Sequence, residues 1–129
     1  MLTGRKPNEK ERRLWNKLAE IGCIACRIDG IHNPLISIHH IDGRTKEGCH
    51  RLVLPLCAGH HQQGCGAPFM IAVHPHKARF EQAYGDQREL NAILLRVVEE
   101  GHDLTLALEL FCEKHLGEWP PVRDSEIPV

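Results

Sequence analysis

The sequence predicts an α+β fold, a small strand–strand–helix core flanked by helices from both ends of the chain. Three observations carry this. Apolar residues recur at helical spacing near both termini, two short apolar runs enclose a polar loop, and Cys/His pairs at the spacing of metal knuckles bracket those runs.

The first element is a helix over about residues 8–21. Asn8 takes the N-cap position with Glu11 three residues on, as in a capping box, and Leu14, Leu18 and Ile21 line one face before Gly22 ends it. Cys23-Ile-Ala-Cys26 reads as a tight turn, and Asp29-Gly30 with Asn33-Pro34 marks irregular chain. Leu35 to Ile41 predicts a strand, Asp42 to His50 a polar loop, and Leu52-Val53-Leu54-Pro55-Leu56 a second strand, together a hairpin. Beyond Cys57 and a glycine-rich stretch, Gly64-Cys65-Gly66-Ala67-Pro68, a helix is predicted to open at His74-Pro75 and close at Tyr84-Gly85, since proline suits the first helical position. The core thus spans about residues 23–85. Asp86 with Glu89 caps a further helix carrying Leu90, Ile93, Leu94, Val97 and Val98 as far as Gly101, and a last helix runs from about Asp103 to Leu116. These C-terminal helices, over about residues 86–116, are too rich in apolar residues for a DNA-reading helix-turn-helix and read as a packing hairpin. The tail from Gly117, with Pro120, Pro121 and Pro128, is expected to be extended or frayed.

At 129 residues the expectation is one domain over 1–129, small enough for a metal staple to matter. No run approaches the roughly eighteen apolar residues of a membrane span, so no membrane partner is expected. The polar stretch Met1 to Lys10 lacks the pattern of a secretory signal, which makes the cytoplasm the expected compartment. A monomer is the expected state. Thiols stay reduced there, and six cysteines accompanied by histidines then point to zinc rather than disulfides. The net charge of −1 conceals halves of +4 (Met1 to Arg51) and −5 (Leu52 to Val129), so a basic face for phosphates stands beside the plainer reading of charge scatter.

Seven of the ten histidines lie between His39 and His76. Such crowding is hard to explain by packing, because imidazole and thiolate are the usual ligands of a borderline-soft cation. Cys23 and Cys26 with Cys57 and His60 supply two pairs able to hold one tetrahedral structural Zn2+, Cys65 and Cys49 being alternatives to His60 for the fourth position. Cys112, on an amphipathic helix, reads as a packing residue. His39, His40, His61 and His74 remain, and argue for a second metal centre.

Ser37-Ile-His39-His40-Ile41-Asp-Gly, Leu54-Pro-Leu-Cys57-x-x-His60-His61 and His74-x5-Phe80-Glu81-x-x-Tyr84-Gly85 together resemble the HNH, or ββα-metal, endonucleases over roughly Cys23 to Gly85. Within that superfamily they are most similar to the recombination-enhancement, RecA-dependent nucleases. The resemblance implies a phage or prophage origin, a bacterial host cell, DNA as substrate and a RecA filament as partner. It implies His40 as general base, in the place of the strand motif's histidine, and puts His39 where the motif carries aspartate. An imidazole there can bind a divalent ion, yet the lost carboxylate leaves the site less negative. His50 is the nearest candidate for the middle asparagine and would orient His40 by a hydrogen bond. His61 and His74, with twelve residues between them, compete for the final histidine, and both with His39 are expected to face Mg2+ or Mn2+. Neighbouring strand residues point to opposite faces, so a bend or strand end is expected to bring His39 and His40 to one site. The rival reading is a noncatalytic zinc module that binds nucleic acid or protein, its extra histidines serving as structural ligands.

Overall fold

The computed structural model describes residues 5–62 and 70–123. The glycine-rich stretch with Cys65, and Pro128 of the tail, lie outside the described residues. Among the described residues six helices surround one two-stranded antiparallel sheet, the α+β arrangement read from the sequence. No described helix is long and apolar enough to cross a membrane.

Helix α1, Glu9–Ile21, starts where Asn8 Oδ1 accepts the Glu11 amide and Glu11 Oε1 accepts the Asn8 amide, each at 2.8 Å. It buries Leu14, Leu18 and Ile21 along one stripe. It ends at Gly22, whose φ of +86° and close approach to the Asn33 carbonyl leave no room for a Cβ.

The expected turn at Cys23 is instead the start of a short helix α2, Ile24–Ile28, with Cys23 Sγ accepting the Cys26 amide at 3.4 Å. Ile24 and Ile28 stand four residues apart and are both fully buried, so the core draws this segment into a helical turn.

Strands β1, Ser37–His40, and β2, Val53–Leu56, are shorter than their apolar runs and pair antiparallel with His39 opposite Leu54 and His40 opposite Val53. Ile41 N donates to Leu52 O at 3.0 Å, which makes alternate pairs toward Ser37 hydrogen-bonded and leaves Pro55, opposite Ile38, at a position whose missing amide faces away from β1. The outer edge of β2 is satisfied by a side chain: buried Asn91 donates its amide to the Arg51 and Val53 carbonyls at 2.7 and 3.0 Å.

After β2 come the one-turn helix α3, Ala58–His61, and then α4, Lys77–Tyr84. Helix α4 opens two residues later than the sequence suggests, because the segment before it pairs with α3. Val73 N donates to His60 O at 2.8 Å and His74 N to His61 O at 3.1 Å, so these amides belong to a bridge rather than to a helix. Helices α5, Gln87–Glu100, and α6, Leu104–Leu116, form the expected hairpin, each capped by an aspartate, Asp86 and Asp103. Leu90 and Leu94 of α5 meet Leu18, Ile24, Leu54, Leu56, Phe80 and Leu108 in the core, and fully burying a side chain of this size contributes about 1.5–3 kcal/mol. Cys112 packs there too, its thiol pushed up to about 11 by burial, as suits an apolar role.

Residues 117–123 do not fray. Trp119 packs against the core, and Arg123 Nε donates to Asp29 Oδ1 at 3.0 Å with its guanidinium 5.0 Å over the Tyr84 ring. An indole and a cation–π contact outweigh the prolines' tendency to run free.

Candidate metal centres

Cys23 and Cys26 come from the N-terminal edge of α2, and Cys57 and His60 from the β2–α3 junction; their four ligand atoms lie within 4.8 Å of one another. The imidazole Nδ1 of His60 sits 3.6, 3.5 and 3.2 Å from Cys23, Cys26 and Cys57 Sγ, and the Cys26 and Cys57 sulfurs are 3.8 Å apart. Bonds of about 2.3 Å to sulfur and about 2.0 Å to nitrogen around one tetrahedral Zn2+ give edges of about 3.8 and about 3.5 Å, so these residues fit the ion. Tyr84 decides which imidazole nitrogen faces the sulfurs. Its hydroxyl lies 2.9 Å from His60 Nε2, and accepting that N–H leaves Nδ1 as the bare nitrogen. The protein atoms alone push the Cys23 thiol up to about 12, first through its hydrogen bond with Cys26 and then through burial; cation binding reverses both by favouring thiolate. Cys49, the other described alternative for the fourth position, is elsewhere, its Sγ 3.3 Å from the Arg44 carbonyl. Cys65 lies outside the described residues.

The second cluster is His39, His61 and His74, again within 4.8 Å. The backbone bridge between α3 and the segment before α4 carries His74 to His61, so both contenders for the last histidine meet His39, with ring centroids 5.0–5.4 Å apart. Exposure rises from buried His39 through half-buried His61 to exposed His74, which opens the cluster on one side. Burial pushes His39 down to about 4 and His61 below its ordinary value, so both are neutral at physiological pH, the state in which imidazole ligates. His39 Nε2 is 2.7 Å from Gln87 Oε1, while its Nδ1 is buried without a hydrogen-bond partner. A buried, unpaired imidazole nitrogen beside two further imidazoles is what a divalent ion would satisfy.

His40 goes the other way. The sequence expectation that a bend or strand end brings His39 and His40 to one site is corrected here: β1 stays regular through both, and their side chains take opposite faces. His40 Nε2 lies 3.0 Å from His50 Nδ1, and Trp15 packs edge-on against both rings at 5.5 Å. His50 Nε2 is 2.6 Å from the Arg5 carbonyl and its own carbonyl accepts Trp15 Nε1–H at 2.8 Å. The Arg5 carbonyl only accepts, so His50 Nε2 carries its hydrogen and, in the neutral pair, His50 Nδ1 accepts from His40. Arg5 is itself anchored by two 2.7 Å bonds to Glu11, whose carboxyl that pairing holds down at about 2. Burial, then the nearby Arg44 guanidinium, push His40 down to about 4.

Residues 7–99 match the family described as recombination enhancement, RecA-dependent nuclease, a span running from the N-terminal cap of α1 to the last turn of α5 and enclosing both clusters. The chain belongs to this family. A RecA-dependent nuclease of recombination is therefore the setting of the two clusters, and DNA is the substrate the family name implies. The sequence singled out the seven residues that the structure gathers into two clusters, but not the groups that hold them. Gln87 and Trp15 went unread. Yet Gln87 shares the buried stripe of α5 with Leu90, Asn91 and Leu94, and two amides on an apolar stripe are a sequence sign of buried groups with dedicated partners.

Proposed function

We propose that the chain is an HNH-type endonuclease that hydrolyses DNA phosphodiester bonds with a divalent ion held by His39, His61 and His74, over a fold tied by Zn2+ on Cys23, Cys26, Cys57 and His60. The observation that carries this reading is the buried, unpartnered Nδ1 of His39, a residue clustered with two other imidazoles on an open side. Three imidazole ligands suit Mn2+ better than Mg2+, which prefers oxygen ligands. When bound, the ion neutralises charge developing on the phosphate and on the departing 3′-oxygen.

The protein groups supply the rest. The general-base role falls to His40 from its place in the strand motif, next to His39 in the chain but outside the ligand set. Its ring lies on the other face of β1, so it takes the proton of the attacking water through an intervening water at the strand end, and solvent protonates the departing 3′-oxygen, leaving 5′-phosphate and 3′-hydroxyl ends. His50 holds that ring by its hydrogen bond, the Arg5 carbonyl fixes the tautomer of His50, and Trp15 packs edge-on against both rings. The RecA filament supplies localisation, in a bacterial cytoplasm and from a phage or prophage gene.

Metal analysis with a nicking assay tests the reading. Two metals per chain, with Mn2+-dependent cleavage of DNA on a RecA filament, are expected. Tight zinc alone, with no cleavage at any Mn2+ concentration, would leave the noncatalytic zinc module as the better account.

A further inference from the structure

The Phe80-Glu81-x-x-Tyr84-Gly85 segment and the first residue of α5 contribute none of the seven ligands, yet they touch both centres. Tyr84 meets His60 of one, and Gln87 meets His39 of the other. Gln87 is 1% exposed, an unusual place for an uncharged amide unless every polar atom is spoken for. Its Oε1 lies 2.7 Å from His39 Nε2, its Nε2 lies 3.4 Å from Glu81 Oε2, and its backbone amide donates to the same Glu81 oxygen at 3.2 Å.

The chemistry of these atoms leaves one arrangement. An ionised carboxylate only accepts, so the amide nitrogen of Gln87 must face Glu81, which turns the amide oxygen to His39. That oxygen also only accepts, so His39 Nε2 carries the hydrogen. A neutral imidazole has one such hydrogen, and Nδ1 is left bare, the atom found without a partner in the histidine cluster. On the reading of that cluster as a metal centre, we propose that Gln87 is a positioning residue. Held by Glu81, it selects the Nδ1-ligand form of His39 and fixes its ring, and so sets the affinity of the catalytic ion. Ligating histidines are commonly oriented through their second nitrogen, and losing the partner typically weakens metal binding about 10- to 100-fold.

The test uses the full-length, zinc-loaded protein and Mn2+, which competes poorly for thiolates. Mn2+ affinity is measured by calorimetry for wild type, for Gln87→Leu, and for the double variant Glu81→Gln with Gln87→Glu. The double variant exchanges the two side-chain types but keeps an oxygen on His39 Nε2. Nitrogen-15 correlation spectra report the His39 tautomer in the same samples before Mn2+ is added. Gln87→Leu is expected to bind Mn2+ about 10- to 100-fold more weakly and to mix the two tautomers, with zinc content unchanged. The exchanged pair is expected to restore both to near wild type, and does so as a test even if Gln87→Leu fails to fold. Equal Mn2+ affinity in wild type and Gln87→Leu, or a folded exchanged pair that fails to bind Mn2+, would overturn the role of Gln87 alone. Wild-type protein that takes up no Mn2+ beyond its zinc would remove the metal centre itself, and the role with it.

Discussion

Two adjacent histidines on one strand end in different chemistry because a strand alternates its side chains. His39 is turned toward His61, His74 and Gln87, and His40 toward His50 and Trp15. Their substitutions should therefore fail differently. His40→Ala removes the proposed base but no ligand, so zinc content and folding should persist while cleavage falls about 10²- to 10⁴-fold at saturating Mn2+. His39→Ala should instead raise the Mn2+ concentration needed for half-maximal cleavage, a defect that added metal partly relieves. Steady-state cleavage against Mn2+ concentration separates the two. A His40→Ala protein that cuts at the native rate would strike this residue from the mechanism, and one that loses its zinc would recast it as a structural group. The proposed zinc residues Cys23, Cys26, Cys57 and His60 were legible because a knuckle is local, two side chains within one turn of chain. Gln87 was not, because its partner His39 is 48 residues away in sequence and only the packed helix brings them together.

At the scale of elements, the junction between α4 and α5 is the hinge of both centres, with Tyr84 on one side and Gln87 on the other. Gly85 lies in that junction with φ +93°, and a Cβ built there would run into the Phe111 ring of α6. Phe111 is buried and has little room to retreat. Gly85→Ala should thus combine backbone strain with overpacking and destabilise by about 2–5 kcal/mol, read as a lowered urea midpoint of the metal-loaded protein. An unchanged midpoint would mean that α6 moves freely against α4 and that the junction is not rigid. Capping residues made the three long helices readable: Asn8, Asp86 and Asp103 begin α1, α5 and α6 where the sequence puts them. The misreadings share a cause. Cys23 to Cys26 becomes helical, and His74-Pro75 stays outside α4, because burial of Ile24 and Ile28 in one case and pairing with α3 in the other override local turn and proline signals.

Across the whole molecule, the charge asymmetry of the sequence partly cancels in space. Arg51 of the basic half pairs with Glu99 of the acidic half at 2.6 and 2.8 Å, Asp42 pairs with Arg88, and Asp29 with Arg123. Arg5 and Arg13 are tied to Glu11 and Glu9 on α1. Cations engaged in this way offer less to a phosphate backbone than the +4 of the first half suggests, and the chain as a whole carries −1. Nonspecific affinity for DNA grows with the number of phosphates neutralised and weakens steeply with salt. A protein so balanced should bind DNA poorly by itself at physiological ionic strength, and its dependence on RecA then has a physical cause: the filament brings the substrate that electrostatics does not. Cleavage without RecA should be appreciable at about 50 mM salt and collapse by about 200 mM, whereas cleavage on a RecA filament should lose far less over the same range. Nicking rates with and without RecA across that salt series decide it. Equal rates and equal cut positions at physiological salt would show that the chain finds DNA unaided, and would return the basic residues of its first half to the role of a binding face.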